Sequence, residues 1–268
     1  MGAALALVRA SWLTARTYRV NLLLSLVYLP VLIVPVFYIS RAVQSVAEDA
    51  IRTQGGQYFG FVLLGMITFS FVSAAVNGLP AALAGGVSTG TLEALLATPV
   101  RLPVLLAGLT GYNFVWTTIR ALLMLGIGLA LGARIEWARA PVAVAILALI
   151  VAAHVGFGVL GAAMTLAFRT AGPLGQAVIV ASSLLGGVYW PTDARVIPDV
   201  IRGLSDFVPL TYGLRALRQT LLEGAGLAAI APDVAKLTGI AMLLLGASAL
   251  GFRAALRYAR RAGTLAQY

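Results

Sequence analysis

The chain has 268 residues, 60% of them apolar and only 10% charged, with 19 Arg or Lys against 9 Asp or Glu and a net charge of +10. A soluble globular chain carries about 25% charged residues, and so little polar surface cannot cover so much apolar mass in water, which excludes a soluble enzyme, a disordered tail and a disulfide scaffold. The absence of cysteine removes Cys–zinc sites and thiol nucleophiles, and the long uncharged apolar runs argue against nucleic acid as the partner of the basic charge.

Residues 1–19 are interrupted by Arg9, Arg16 and Arg19 and lack the apolar core of a signal peptide. Leu5, Val8 and Trp12 share a helical face opposite Arg9 and Arg16. That pattern reads as an amphipathic helix lying in the membrane interface, with a soluble, frayed terminus as the other reading. A helix needs about 20 apolar residues to cross about 30 Å of hydrocarbon. Such runs predict spans over 20–39, 58–79, 104–133, 141–168, 173–190 and 234–256. The first contains Pro30 and Pro35, which a membrane helix tolerates when neighbours satisfy the freed carbonyls. Lys236 and Arg253 lie towards the ends of the last and can snorkel. No run shows the period-2 alternation of barrel strands. The expected fold is an all-α polytopic membrane protein in a single domain, 1–268, with six transmembrane helices and both termini on one side.

If the termini are cytoplasmic, nine cations fall inside and nine outside, with Arg120 in the membrane. The inner cations cluster beside the first and last spans. Four of the outer ones lie in the long segment 191–233, interspersed with Asp193, Asp199 and Asp206. Because the first span usually dominates orientation, both termini are expected in the cytoplasm of a multi-pass plasma-membrane protein.

Two connections carry more than linkage. Between spans two and three, Gly85-Gly86 are expected to break the preceding helix. Thr91 can cap a new one, Glu93 suits its positive end, and Thr98-Pro99 stops it. The product, over 89–99, is a short helix on the membrane surface that can take force from a soluble partner; an ordinary connecting turn is the alternative. After span five, residues 195–223 hold two amphipathic stretches separated by Pro209. Ile197, Ile201, Leu204 and Phe207 oppose Asp199, Arg202 and Asp206; Leu210, Leu214, Leu217 and Leu221 oppose Arg215, Arg218 and Gln219. Each is too short to span, so the pair reads as a re-entrant hairpin capping the bundle from outside.

Polar residues within the spans are the remaining candidates. Asn113, Thr117 and Arg120 share a face of span three. They line a cavity, or Arg120 snorkels towards the outer interface. His154 is expected to bond a neighbouring helix; as a catalytic base it would need Ser182 or Ser183 within about 3 Å, in an intramembrane hydrolase or acyltransferase. Asn77 and Gln176 read as interhelical glue, and the pairs Gly128/Gly132 and Ala152/Gly156 as close-packing positions. Tyr189 and Trp190 guard an exit or form part of an interfacial aromatic belt. All nine acids are expected outside the spans, and no internal repeat is present, which disfavours an ion-gradient-driven secondary carrier. There is no G-x-x-x-x-G-K-[ST], and the sole lysine is Lys236. The chain therefore cannot hydrolyse ATP by a P-loop, and any ATPase is a separate molecule.

Two segments carry a resemblance over essentially the whole chain. Gly90-Thr91-Leu92-Glu93-Ala94-Leu95-Leu96-Ala97-Thr98-Pro99-Val100 is one. The other is Gly187-Val188-Tyr189-Trp190-Pro191, followed by Ile197-Pro198, Pro209-Leu210-Thr211-Tyr212 and Leu214-Arg215-Ala216-Leu217-Arg218. In this order they resemble the type-2 ABC transporter permease family. The resemblance implies a membrane subunit of an exporter of hydrophobic drugs, lipids, or polysaccharide and lipid-linked glycans, rather than an enzyme. It implies a second permease subunit, with a homodimer expected, and two cytoplasmic ATPase subunits that bind ATP and Mg; no cofactor belongs to this chain. It makes 89–99 the coupling helix, with Thr91, Leu92, Glu93, Leu95, Leu96 and Pro99 facing the ATPase. It makes Tyr189, Trp190, Pro191, Pro209, Tyr212 and Arg215 the exit gate, with Asn113, Thr117 and Arg120 on the translocation path. One departure stands out: many members carry a charge just before the Gly-Thr-Leu-Glu block, and Ala84–Thr89 has none.

Overall fold

The computed structural model describes residues 19–88, 102–168, 173–192 and 197–261. The predicted coupling helix over 89–99 lies outside the described residues, as does the predicted interfacial helix over 1–19 but for Arg19. Among the described residues there are eight α-helices and no strand. They are α1 (Arg19–Ala47), α2 (Tyr58–Ser88), α3 (Leu102–Ala130), α4 (Ala140–Phe168), α5 (Pro173–Leu185), α6 (Asp199–Ser205), α7 (Pro209–Leu222) and α8 (Leu227–Arg261). Two 3₁₀ turns, Asp49–Gln54 and Trp137–Arg139, complete the connections after α1 and α3. Five helices, α1 to α4 and α8, are long and apolar enough to cross a membrane, and α5 is a shorter apolar helix.

The bundle is built around α2. In its apolar window 78% of the residues are buried, against 39% for α4, 22% for α3 and 17% for α1 and α8. One side of α2 packs Leu63, Ile67 and Phe71 with Leu29 and Ile33 of α1 and Ala121 and Met124 of α3. The other side packs Val72 and Val76 with Ile146 and Ile150 of α4, Leu210 and Leu214 of α7 and Leu237 of α8. Lipid tails are as apolar as these side chains, so close backbone approach must supply much of the association, and small residues permit it. A Cβ added at Gly158 of α4 would run into the Ala75 carbonyl of α2, and one added at Gly156 would lie 3.1 Å from the Leu244 backbone of α8. On α3, Gly128 makes room for Leu63. Gly132 has a different role from the packing one expected of it: at φ +97 it turns the chain after the helix, and an added Cβ would meet nothing within 4 Å.

Predicted boundaries move at several helices, α1 running on past 39 to Ala47 and α3 stopping at Ala130 instead of 133. The helix α2 continues through Pro80 and through Gly85-Gly86 to Ser88, instead of ending at 79 and breaking at the glycines. Pro80 is buried against Gly161 of α4, whose missing side chain accommodates the ring. The helix α5 ends at Leu185, short of 190, where Gly186 and the positive-φ Gly187 turn the chain. Its 13 residues are roughly 20 Å long. The helix α8 starts at Leu227 and takes Pro232 into its second turn, so Asp233 lies within a long apolar helix and not outside one.

The α2–α4 contact yields a paired test. Alanine is the better helix former by about 1 kcal/mol, yet Gly158→Ala should lower the thermal unfolding temperature of the purified protein in detergent. Gly126→Ala, where an added Cβ meets nothing within 4 Å, should hold or raise it.

Candidate functional site

The chain between α5 and α6 leaves helical geometry while still packed in the bundle. Gly187 and Val188 are buried there, so their carbonyls need donors from elsewhere. The helix α7 brings them Arg218, which is 1% exposed. Its Nη1 donates to Gly187 O at 2.8 Å and its Nη2 to Val188 O at 3.0 Å. Nε and Nη2 both donate to Phe61 O of α2, at 3.1 and 2.9 Å, and Nη1 reaches Gln54 Oε1 of the first 3₁₀ turn at 3.4 Å. The guanidinium carbon stacks 3.3 Å from the centroid of the Phe61 ring. One planar cation thus ties three separate chain segments together at one end of the bundle. Gly65 is required beside it, because a Cβ there would strike the Val188 carbonyl and stand 2.8 Å from Arg218 Nη2.

Further bonds fasten the same end, called here the capped end. Glu136 N donates to Leu221 O at 2.7 Å, and Gly55 N to Glu223 Oε1 at 3.0 Å. Gln57 Nε2 donates to Gly132 O at 2.9 Å, and Tyr58 Oη to Tyr189 O at 2.8 Å. The helix α7 is consequently packed on nearly all sides, with Pro209 to Leu214 and Ala216 to Arg218 buried. This corrects the expected opposition of Arg218 to the apolar stripe.

The six predicted gate residues divide into two groups. Tyr189 and Trp190 are exposed on the capped end, their ring centroids 6.3 Å apart. Pro191, Pro209 and Tyr212 are buried, and half-buried Arg215 pairs with Asp233 of α8 at 3.4 Å. Tyr212 Oη donates to Asp206 O at 3.0 Å. Burial first, and then the Asp206 carboxylate, raise the Tyr212 phenol above its ordinary pKa, so it remains a donor. The apolar face of α6 points away from the bundle, with Ile201 and Leu204 exposed, as is Phe207 in the turn that follows.

The predicted path residues are brought together. Asn113, Thr117 and Arg120 of α3 line one groove of about 390 Å³ with Ser70, Ser73 and Asn77 of α2. The two helices run antiparallel, with Gly78 beside Asn113 and Gly128 beside Leu63, so Arg120 is level with the Ser70 to Ser73 turn. Arg120 lies ten residues before the last residue of α3, about 15 Å along the axis from its capped end. A cation at such depth is costly unless it faces water, a polar partner or a counter-charge; insertion measurements place the cost for arginine at about 2.5–3.5 kcal/mol at a helix centre. Among the described residues Arg120 makes no ion pair.

Other predicted polar positions resolve differently. His154 is fully buried, but its Nδ1 lies 2.8 Å from Ile150 O of its own helix rather than on a neighbour. Among the described residues its Nε2 has no hydrogen-bond partner, so Ser182 and Ser183 do not form a nucleophile–base pair with it; Ser183 Oγ donates to Val180 O at 2.9 Å. Gln176 is exposed on α5 and bridges no helices among the described residues, whereas Asn77 faces Gly175 of α5 as well as the groove. The predicted ATPase-facing residues Thr91, Leu92, Glu93, Leu95, Leu96 and Pro99 lie outside the described residues. Sequence reasoning missed the Arg218 cluster. A signal for it existed: Arg218 follows Leu214 by one helical turn and so flanks the buried stripe, while Gln219 lies further round.

The comparison with known proteins agrees with this architecture. The family model described as ABC-2 type transporter matches residues 3–222, and the chain belongs to that family. With five helices long and apolar enough to cross a membrane, it is a multi-pass membrane protein of the ABC-2 transporter family. It is similar to the linearmycin resistance permease protein LnrN of Bacillus subtilis (strain 168), with 25% identity over 126 residues. The match covers 47% of this chain and 30% of that protein's length.

The Arg218 cluster generates the second prediction. Arg218→Ala leaves buried carbonyls without donors, at roughly 1–3 kcal/mol for each, and should lower the unfolding temperature in detergent by several degrees. Arg218→Lys keeps the charge but not the planar fork and should fall between the two.

Proposed function

We propose that this chain is the translocating subunit of an ATP-driven exporter for a hydrophobic or amphipathic substrate such as a drug, a lipid or a lipid-linked glycan. The observation that carries the reading is the family match over residues 3–222, which takes in both signature segments, 90–100 and 187–218. The name of the Bacillus relative, a resistance permease, supports export. In this reading α5 with the turn that follows it is a sixth span, the capped end is extracytoplasmic, and both termini are cytoplasmic. Two copies of the chain form the path, and two ATPase subunits bind ATP and Mg beneath them. ATP-driven closure of the ATPase dimer pushes the segment 89–99, and the rigid spans carry that motion to the path. The Arg218 cluster holds the exit as one body with α2, so that Tyr189 and Trp190 move with the bundle rather than as a loose loop.

Co-expression with the cognate ABC ATPase tests the proposal. Efflux should continue when proton and sodium gradients are collapsed and stop when ATP is depleted. Glu93→Arg should leave the chain inserted and the ATPase turning over, while transport falls to background; wild-type transport in that variant contradicts the coupling role.

A further inference from the structure

We propose that the groove between α2 and α3 binds the acidic headgroup of an amphipathic molecule, with Arg120 as its counter-charge. The inference deepens the exporter reading and rests on it only for what the binding serves.

Four observations converge. First, Arg120 is half-buried at mid-depth in α3 without an acidic partner among the described residues. Second, the described residues supply no acid at that depth. Of its nine acids, Glu93 and Asp193 fall outside the described residues. Glu48, Asp49, Glu136, Asp199, Asp206 and Glu223 all belong to the capped-end turns and short helices, and Asp233 sits in the second turn of α8, held by Arg215. A symmetric second copy would bring these seven described acids at the same levels, away from Arg120. Third, the groove offers hydrogen-bonding groups beside the cation. Thr117 Oγ1 is fully buried without a partner among the described residues, and the Asn113 and Asn77 amides lie one to two turns further along. Arginine with hydroxyl and amide donors is the donor set suited to a carboxylate or phosphate oxygen. Fourth, the space fits a headgroup. Ala74, Gly78, Ala81 and Ala82 keep the α2 wall thin, and about 390 Å³ is at the small end of ligand pockets, which run from about 300 to 1,000 Å³. One turn from Arg120, Leu123 is exposed and apolar, a surface along which an attached hydrocarbon tail can lie.

The same chemistry describes an anionic phospholipid of the bilayer and a diffusible acidic amphipath, and binding to the purified chain separates them. In the first arm, native mass spectrometry compares retention of phosphatidylglycerol and phosphatidylcholine with identical acyl chains. In the second, dodecyl phosphate is titrated against the chain in phosphatidylcholine nanodiscs, with dodecyl maltoside as the uncharged control. The acidic ligand should bind on the order of tenfold more tightly in at least one arm. Arg120→Gln should abolish that preference, Arg120→Lys should retain most of it, and Arg134→Gln at the capped end should leave it unchanged. Selectivity confined to the first arm identifies the occupant as a bilayer lipid, and selectivity in the second identifies a diffusible amphipath; both support the site. Equal binding of acidic and uncharged ligands by the wild type overturns it, as does undiminished selectivity in Arg120→Gln. Because no ATPase is present, failure here leaves the Glu93 coupling experiment undecided by this result, and failure there leaves this site standing.

Discussion

Backbone that leaves helical geometry inside a membrane protein must find its hydrogen bonds within the protein, because hydrocarbon offers none. Here the turn after α5 does so, and Arg218 meets the need. Its guanidinium reaches the carbonyls of Gly187, Val188 and Phe61 and the side chain of Gln54, with the Phe61 ring stacked on its face. A lysine could place its charge there but could not address several acceptors in one plane. Much of the capped end is arranged around this cation. Gly65 leaves room for it, α7 is buried to deliver it, and α5 can stop at 13 residues because the freed carbonyls are answered.

The helix α2 is the wall shared by the structural and the polar parts of the molecule. It contributes Leu63 and Phe71 to one apolar cluster and Val72 and Val76 to the other. Between these it presents Ser70, Ser73 and Asn77 to the groove that holds Arg120. Any movement of α2 therefore alters the capped end and the groove together. Two cations define the ends of this relation in opposite ways. Arg218 is enclosed by acceptors from the chain, whereas Arg120 stands in a groove whose described lining supplies amides and hydroxyls but no acid. The enclosed one stiffens the structure, and the other is available to a ligand.

Much of this was legible in the linear order of residues. The apolar runs foretold the long helices, because a membrane span is a local property of about 20 residues. The spacing of Asn113, Thr117 and Arg120 foretold their shared face, because an α-helix repeats every 3.6 residues. Rules learned from helix ends failed inside the bundle. Pro80 and Gly85-Gly86 did not stop α2, since a partner helix shaped at Gly161 receives the proline and the membrane context favours continued backbone bonding. Asp233, which a span boundary at 234 would exclude from the helix, was drawn into α8 because Arg215 of another helix neutralises it. His154 turned to Ile150 of its own helix, a choice set by the packing around α4.

By itself the sequence determined the class: a cysteine-free, lysine-poor chain of long uncharged runs that must lie in a membrane and that lacks a P-loop of its own. Those properties follow from composition and from contacts within a few turns. Only the tertiary structure decided where the two central arginines stand. Arg218 meets Phe61, 157 residues away along the chain, and Arg120 meets the polar side of α2. A helical wheel gives the direction of a side chain but not what another helix places in front of it, and for a charge in a low-dielectric interior the groups placed there decide its role.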